Sequence, residues 1–392
     1  MPDQFAILVV DDNEANRDGL ARRLARHGYR VSQAADGPTA LVRLDAEACD
    51  LVLLDVMMPG MSGLEVLARV RRTRSASDLP VIMATANHGT ADVVEALELG
   101  ASDYVTKPLD FPVVLARVRT HLALKAAHDE ATRLRAALEA ALARSKYDLR
   151  AAARVQRAAL PSRPPTVPGL AFAWGFAPCD ELAGDFFGVH PLANNSAACY
   201  LLDVSGHGVA ASLLAVAIGR TLNSPPDDPD SLLTDADGTP TAPGEVLARL
   251  SARFPMDDRS EQFFTMWYAV ADGGTGRVRF AAAGHPPVAH VRAGGAVLVD
   301  GGGLPGGVGT AYAGHELTLA SGEAVVVYSD GVTEAASPAG ELFGADRLRA
   351  VLAVAEDHSP RGLVDAVEAA VKAWAGGTPL RDDVSVLAVG RV

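Results

Sequence analysis

Residues 198–220 read ACYLLDVSGHGVAASLLAVAIGR: an apolar run that closes on Asp203, glycines at 206 and 208, then a helical stretch from Ala210 to Arg220. The run has the length of a buried strand, and the glycines suit a backbone that turns sharply after it. Three more strings set an acid at the edge of an apolar run: AGDFFG from Ala183, YSDGVTEA from Tyr328 and RDDVSVLAV from Arg381. Carboxylates from separated strand ends can converge only if the sheets bring those ends together.

Working outward, strand-like runs occur at Ala171 to Phe176, Ala197 to Asp203, Phe263 to Ala271, Val278 to Ala283, Val288 to Val291, Ala324 to Ser329 and Val384 to Val389. Helical segments at Pro243 to Phe254, Ala345 to Ala355 and Pro360 to Trp374 lie among and after them. Many strands with a few helices predict an α+β domain of two stacked sheets flanked by helices. Converging carboxylates select Mg²⁺ or Mn²⁺ over softer metals. Two such cations about 3.5–4 Å apart can clamp a phosphate and lower the pKa of a bound water. GxSxG and CxxxxxR patterns are absent, so no protein nucleophile is expected there. His207 and His285 lack partners at ligand spacing and read as turn residues.

A second acidic set lies far upstream. Phe5 to Val10, Tyr29 to Ala34, Asp50 to Leu54, Pro80 to Ala84 and Ser102 to Thr106 are short apolar runs, with helical patterns such as Arg17 to His27 and Leu64 to Arg72 between them. Strands alternating with helices predict a doubly wound α/β domain with a five-stranded parallel sheet. Ligands then bind at the carboxyl ends of the strands, where Asp11, Asp12, Asp55, Thr85 and Lys107 all fall. Two carboxylates about 4 Å apart repel by roughly 4 kcal/mol at an effective dielectric of about 20. Mg²⁺ offsets that repulsion while keeping waters and sharing a phosphate oxygen. Asp55 can then act as a nucleophile, with Lys107 as a point charge for the phosphoryl oxygens.

Between the two regions, Asp110 to about Leu160 is dense in Ala, Leu, Arg and Glu, with no glycine and one proline, Pro112, near its start. A helix of that length would run about 75 Å. Leu134, Leu138, Ala141, Leu142, Leu149, Ala152 and Val155 recur at three-four spacing, interrupted over His128 to Thr132. That is a weak coiled-coil seam, and a homodimer through it is the expectation. AARVQRAALPSRPP closes the helix at a proline-rich boundary. The expected organisation is 1–124, 125–160 and 161–392.

Composition limits the alternatives. A formal charge of −13 opposes a broad nucleic-acid surface, which needs clustered Lys and Arg. No basic recognition helix occurs behind the first domain. Cys49, Cys179 and Cys199 are scattered without a disulfide or metal pattern and fit a reducing cytoplasm as core residues. The N-terminus lacks the basic region of a signal peptide, and no stretch is long enough to span a bilayer. A cytoplasmic protein with no membrane and no nucleic-acid partner is expected.

The first region resembles the response-regulator receiver domain along its whole length. The resemblance rests on the acidic pair, the aspartate before xMMPxxxG, the Thr of ATA and the KP after an aromatic, in that order. It implies Asp55 as phosphoacceptor, Mg²⁺ bound by Asp12, Asp55 and the Met57 carbonyl with Asp11 assisting, Thr85 and Tyr104 as the switch pair, and a sensor histidine kinase as partner. From about Val155 onward the chain resembles the PPM-type, PP2C-like serine/threonine phosphatase domain of the bacterial SpoIIE and RsbU class. GDFF, DVSGHGVAAS, FFTMWYAV, AAAGHPP, YSDGVTEA, LFG and RDDVSVLAV carry that resemblance. It implies that Asp203 bridges two Mg²⁺ or Mn²⁺ and that the Val204 carbonyl binds one of them, with Asp330 and Asp382 completing the first site and Asp185 serving the second. The choice between Asp382 and Asp383 stays open, with Asp382 favoured. AGHPP is one residue shorter than the common AGHNPP, which predicts altered substrate contacts. The function implied is a response regulator whose output dephosphorylates an anti-anti-sigma (STAS-domain) phosphoprotein. The alternative is a receiver-driven dimeric scaffold with an inactive phosphatase-like domain.

Overall fold

A computed structural model of the chain describes residues 5–85, 90–206, 208–223, 231–235, 237–256 and 262–392, the side chains of 90–92 excepted. His207 therefore lies outside the described residues. The chain divides into two compact units, Met1–Ala143 and Arg144–Val392.

In the first unit, β1 (Ala6–Val10), β2 (Arg30–Ala34), β3 (Leu51–Asp55), β4 (Val81–Thr85) and β5 (Asp103–Thr106) form a parallel sheet in the order β2-β1-β3-β4-β5. Helices α1 (Glu14–Arg26), α2 (Gly37–Ala46), α3 (Gly63–Val70), α4 (Thr90–Glu98) and the first turns of α5 (Phe111–Ala159) connect and cover it. β1, β3 and β4 are buried along their whole length because both faces are covered. Leu8, Val10, Val52 and Leu54 pack with Ala40, Leu44, Val66 and Leu67 on one face. Ile7, Val9, Leu51 and Leu53 pack with Leu24, Val114, Val118 and Leu122 on the other. The α/β expectation holds, including the order reversal that opens a crevice at the ends of β1 and β3.

The second unit has two five-stranded sheets. One runs β13 (His315–Thr318), β10 (Arg277–Ala283), β9 (Phe264–Asp272), β8 (Ser196–Val204), β7 (Phe186–Pro191). The other runs β12 (Gly295–Val299), β11 (Val288–Arg292), β14 (Ala324–Tyr328), β15 (Val384–Arg391), β6 (Leu170–Ala177). Their pairings are antiparallel. Leu201, Trp267 and Phe280 of the first sheet meet Val325, Val327 and Leu387 of the second in a shared core. The outer face of the first sheet packs on α6 (Val209–Leu222) and α7 (Pro243–Arg253). That of the second packs on α8 (Asp330–Glu334), α9 (Gly344–Val354) and α10 (Pro360–Ala375). This is the expected sandwich flanked by helices. Trp267 faces the inter-sheet core while Phe264 and Tyr268 face the helices, which alternation along one strand dictates.

Helix α5 is continuous from Phe111 to Ala159, and the division between the units falls inside it. Leu134, Leu138 and Leu142 are more than half exposed, as an unpartnered seam would be. Val155 does not belong to a buried stripe: it is 71% exposed, while Ala153 and Gln156 are buried instead. No helix among the described residues is long and apolar enough to cross a membrane.

Candidate phosphoryl sites

In the first unit, β1 ends directly before Asp11, β3 ends on Asp55, β4 on Thr85, and Lys107 follows β5. Carboxylate oxygens of Asp11, Asp12 and Asp55 lie within 4.8 Å of one another. Asp11 and Asp55 are buried and Asp12 is exposed. The Lys107 ammonium is 2.9 Å from Asp11 Oδ2 and 2.7 Å from Asp55 Oδ2. Burial raises the Asp55 pKa and Lys107 partly counters it. At Lys107 burial works against the charge, but hydrogen bonds to Asp55 and Asp11 outweigh it and raise the pKa. Thr85 is buried, and its carbonyl accepts from the Lys107 backbone N–H at 2.8 Å. Tyr104 is half-buried with the Arg117 guanidinium 5.8 Å from its ring centroid.

The loop after Asp55 is shaped by its own residues. A Cβ at Gly63 would stand 2.1 Å from the Asp55 carbonyl oxygen, so only glycine closes the loop there. Ser62 and Glu65 form a reciprocal capping box that starts α3 at that point. Met57, inside the loop, has an exposed side chain, and its N–H points to Asp55 Oδ1 at 3.4 Å. Three acids against one lysine leave an excess of negative charge at oxygen ligands, which suits a hard divalent cation.

In the second unit, Asp185 immediately precedes β7, Asp203 lies one residue before the end of β8, Asp330 opens α8 just after β14, and Asp382 and Asp383 precede β15. β7 and β8 belong to one sheet and β14 and β15 to the other, so the stacking of the sheets joins the four acidic strings. Burial pushes the Asp203 carboxyl up to about 8, reinforced by Asp330, Asp382 and Asp383. Burial and then Asp382 push Asp330 up to about 6. Asp185 is 1% exposed and raised well above the carboxylate range by burial and Asp203. The Ser385 and Ser329 hydroxyls temper that rise without reaching hydrogen-bonding geometry, so among the described residues both buried Asp185 oxygens have no partner, and neither does Asp330 Oδ1. Buried carboxylates with unused oxygens and mutual repulsion are what an oxygen-seeking cation resolves.

The backbone around these acids is tightly determined. Gly206 and Gly208 have φ of +84° and +86°, conformations open to glycine, as the turn after Asp203 requires. A Cβ at Gly184 would lie 2.9 Å from the Val204 carbonyl oxygen, and one at Gly331 would lie 2.0 Å from that of Asp383. The two carboxylates of the RDDVS string behave differently. Asp383 is 3% exposed; its Oδ1 accepts from the Cys179 N–H at 2.8 Å and its Oδ2 from the Gly184 N–H at 2.7 Å. Asp382 is half-buried and accepts from the Asp383 N–H at 2.8 Å. Ser329 Oγ donates to the Asp383 carbonyl and accepts from the Ser385 N–H, both at 3.0 Å, stitching the strand ends together.

Two neighbours of this site escaped the sequence reading. Cys179, expected in the core, is half-buried, and its sulfur lies within 4.8 Å of carboxylate oxygens of Asp382 and Asp383. Burial and then Asp383 push its thiol up to about 12. Gln156 is buried with its amide on the Ala183 backbone. His285 behaves as a turn residue, Nδ1 2.8 Å from the Pro286 carbonyl, with burial lowering its pKa to about 4.

Comparison with known proteins places both regions. The profile of the response regulator receiver domain matches residues 7–119, and that of stage II sporulation protein E (SpoIIE) matches residues 193–392, more than half of the chain. The response regulator PleD of Caulobacter vibrioides is 45% identical over 124 residues, 32% of this chain and 27% of that protein. The sensory transduction protein RegX3 of Mycobacterium tuberculosis is 44% identical over 117 residues, 30% of this chain and 50% of that protein. The chain thus spans between about a quarter and a half of the length of these relatives. The SiaA-PP2C domain of Pseudomonas aeruginosa superposes with a TM-score of 0.53 at 23% identity, covering 64% of this chain and 99% of that one, a likeness of fold.

Proposed function

Since the chain belongs to the stage II sporulation protein E (SpoIIE) family and bears a response-regulator receiver ahead of that region, we propose that it is a phosphorylation-controlled protein serine/threonine phosphatase. The observation that carries the reading is Asp185, buried beside Asp203 with both carboxylate oxygens unpartnered among the described residues. We assign the receiver to 1–124, a helical linker to 125–160 and the phosphatase domain to 161–392.

In the phosphatase domain, Asp203 would be common to the sets of residues holding two Mg²⁺ or Mn²⁺, Asp330 and Asp382 would complete one set, Asp185 would serve the other, and the Val204 carbonyl would serve one of them. When bound, these cations supply the positive charge that lowers the pKa of a water and stabilises the phosphate. Asp383, with both oxygens engaged by backbone N–H groups, positions the 179 and 184 turns rather than binding metal. The acids would hold the cations, and no side chain of this domain is phosphorylated. In the receiver, an Asp55 carboxylate oxygen attacks the phosphorus of a sensor histidine kinase's phosphohistidine; the O–P bond forms as the N–P bond breaks, and the kinase's imidazole leaves. Lys107 stays charged against the incoming oxygens, and Asp11, Asp12, Asp55 and the Met57 carbonyl hold one Mg²⁺. Phosphorylation replaces the single negative charge of the Asp55 carboxylate with a phosphoryl group carrying about −1.5 to −2, to which Thr85 and Tyr104 respond.

The substrate is a phosphoserine or phosphothreonine on an anti-anti-sigma (STAS) protein in the cytoplasm, and its dephosphorylation switches the partner of an anti-sigma factor. The chain acts as a homodimer through α5, whose Leu134, Leu138 and Leu142 are exposed in the single chain. Leu138→Arg should shift the mass in solution from dimer to monomer; monomers alone in the unsubstituted protein at micromolar concentration would remove the dimer. The deciding experiment is Mn²⁺-dependent phosphate release from a generic phosphoester, with and without a phosphoryl mimic at Asp55. Activity that changes with the mimic supports the reading. Absence of any release replaces it with the scaffold, and release indifferent to the mimic defeats the coupling.

A further inference from the structure

Helix α5 presents mostly exposed side chains along residues 123–152, yet Gln156 is 5% exposed. Burying an amide is unfavourable unless both of its ends are hydrogen-bonded. Here both are spent on one residue: Nε2 donates to the Ala183 carbonyl at 2.7 Å, and Oε1 accepts from the Ala183 N–H at 3.1 Å. This is the way a neighbouring strand would pair, and it demands a donor and an acceptor at the end of a side chain of this length. Glutamate lacks the donor and methionine lacks both. Ala153, one turn earlier, is also buried, and Leu160, just past the helix, packs against the cores on both faces of the first sheet.

Ala183 begins the turn that carries Asp185. The next residue, Gly184, donates its N–H to Asp383 Oδ2 and lies so close to the end of β8 that a Cβ would meet the Val204 and Gly206 carbonyl oxygens at 2.9 and 3.2 Å. The turn is therefore held by Asp383, by β8 and, from outside the sheets, by Gln156. What it presents is a carboxylate that no hydrogen bond from the described residues orients. Its direction depends on the backbone beneath it.

We propose that Gln156 is a positioning residue for the phosphatase metal site: by clamping Ala183 it keeps Asp185 aimed, and so ties the cation affinity of the site to helix α5. The proposal rests on the reading of Asp185 and Asp203 as cation-holding residues. That helix begins at Phe111, directly after the receiver, so a change in its last turns reaches the site through one amide.

The test is Mn²⁺ binding by the full chain, followed through the paramagnetic resonance of free Mn²⁺. The phosphatase-bound fraction is defined as the part that Asp203→Ala abolishes, which separates it from Mn²⁺ held by the receiver. Gln156→Met keeps length and volume but removes both hydrogen bonds, and should weaken that fraction by about tenfold, the lower end for residues that support metal ligands. Gln156→Glu keeps the acceptor alone and should weaken it too. In turnover assays the Mn²⁺ concentration for half activity should rise while kcat at saturating Mn²⁺ changes little. Unchanged Mn²⁺ affinity in both folded variants overturns the proposal. Should a variant not fold, amide exchange in the unsubstituted chain decides: slow exchange at Ala183 supports the clamp, and free exchange there overturns it. If Asp203→Ala abolishes no Mn²⁺ binding, the reading of the site fails and the clamp falls with it, an outcome distinct from failure of Gln156 alone.

Discussion

The two acidic sites of this chain solve the same electrostatic problem in opposite ways. In the receiver, the buried Asp11 and Asp55 share Lys107 at 2.9 and 2.7 Å, so much of their charge is balanced from within. In the phosphatase domain, burial first and repulsion from neighbouring acids second raise the pKa of Asp185, Asp203 and Asp330, to about 8 for Asp203 and about 6 for Asp330. A carboxylate that is to receive a phosphoryl group needs a fixed cation that remains when metal leaves. A site that only hydrolyses can import all of its positive charge, and its unused oxygens then serve as ligands.

The comparison can be broken by experiment. Asp203→Ala should reduce Mn²⁺-dependent turnover about 10³-fold or more, some 4 kcal/mol of barrier, while phosphorylation of Asp55 continues. Residual turnover near the parent's would show that the second site does not depend on its shared acid. Next in size, Asp383→Ala strands the Cys179 and Gly184 N–H groups and should lower stability by about 3 kcal/mol in denaturant unfolding. Asp382→Ala strands only the Asp383 N–H, so it should cost less stability than Asp383→Ala while removing the metal bound by the set that Asp382 completes; the reverse pattern would exchange their roles.

Metal and pH supply a third test. Because folding raises the Asp203 pKa from 3.8 toward about 8, the metal-free domain loses stability as pH rises through that window. Its metal-free Tm should therefore be higher at pH 5 than at pH 8. Mn²⁺ at about 100 times its Kd should contribute about 2.7 kcal/mol at pH 8, roughly 5–10 °C, and less at pH 5, where protons compete. A Tm insensitive to pH would mean that the acids are not strained. The smallest effect belongs to Lys107→Met, which should make the receiver site resemble the other. Since Lys107 is 20% exposed, the loss should be about 1–2 kcal/mol, recovered by Mg²⁺ to a greater extent than in the parent.

Much of this was legible because the signals were local. The apolar runs of β1, β3, β4, β8, β9 and β14 appear in the sequence because buried strands need them, and the acids stand at their ends where backbone and ligand meet. β12 and β13 were not anticipated: they are short edge strands with half-exposed side chains, so burial imposes little pattern on them. β7 was hidden because FFGVHP breaks its apolar run with Gly188 and ends at Pro191, and α8 because it is only five residues long. Three-four spacing assigned Val155 to the helix seam, whereas Gln156 is the buried neighbour. A polar side chain can replace an apolar one there because Ala183 satisfies it.

By itself the sequence determined the two fold classes and pointed to the candidate acids at Asp55, Asp203 and Asp330, since each is marked by a motif spanning a few residues. Tertiary structure alone decided how the carboxylates are held. Lys107 meets Asp11 across 96 positions, Asp383 holds the Cys179 N–H across 204, and Gln156 reaches Ala183 across 27. Such contacts depend on which strand ends the sheets juxtapose, and periodicity within a segment carries no record of a partner supplied by a distant one.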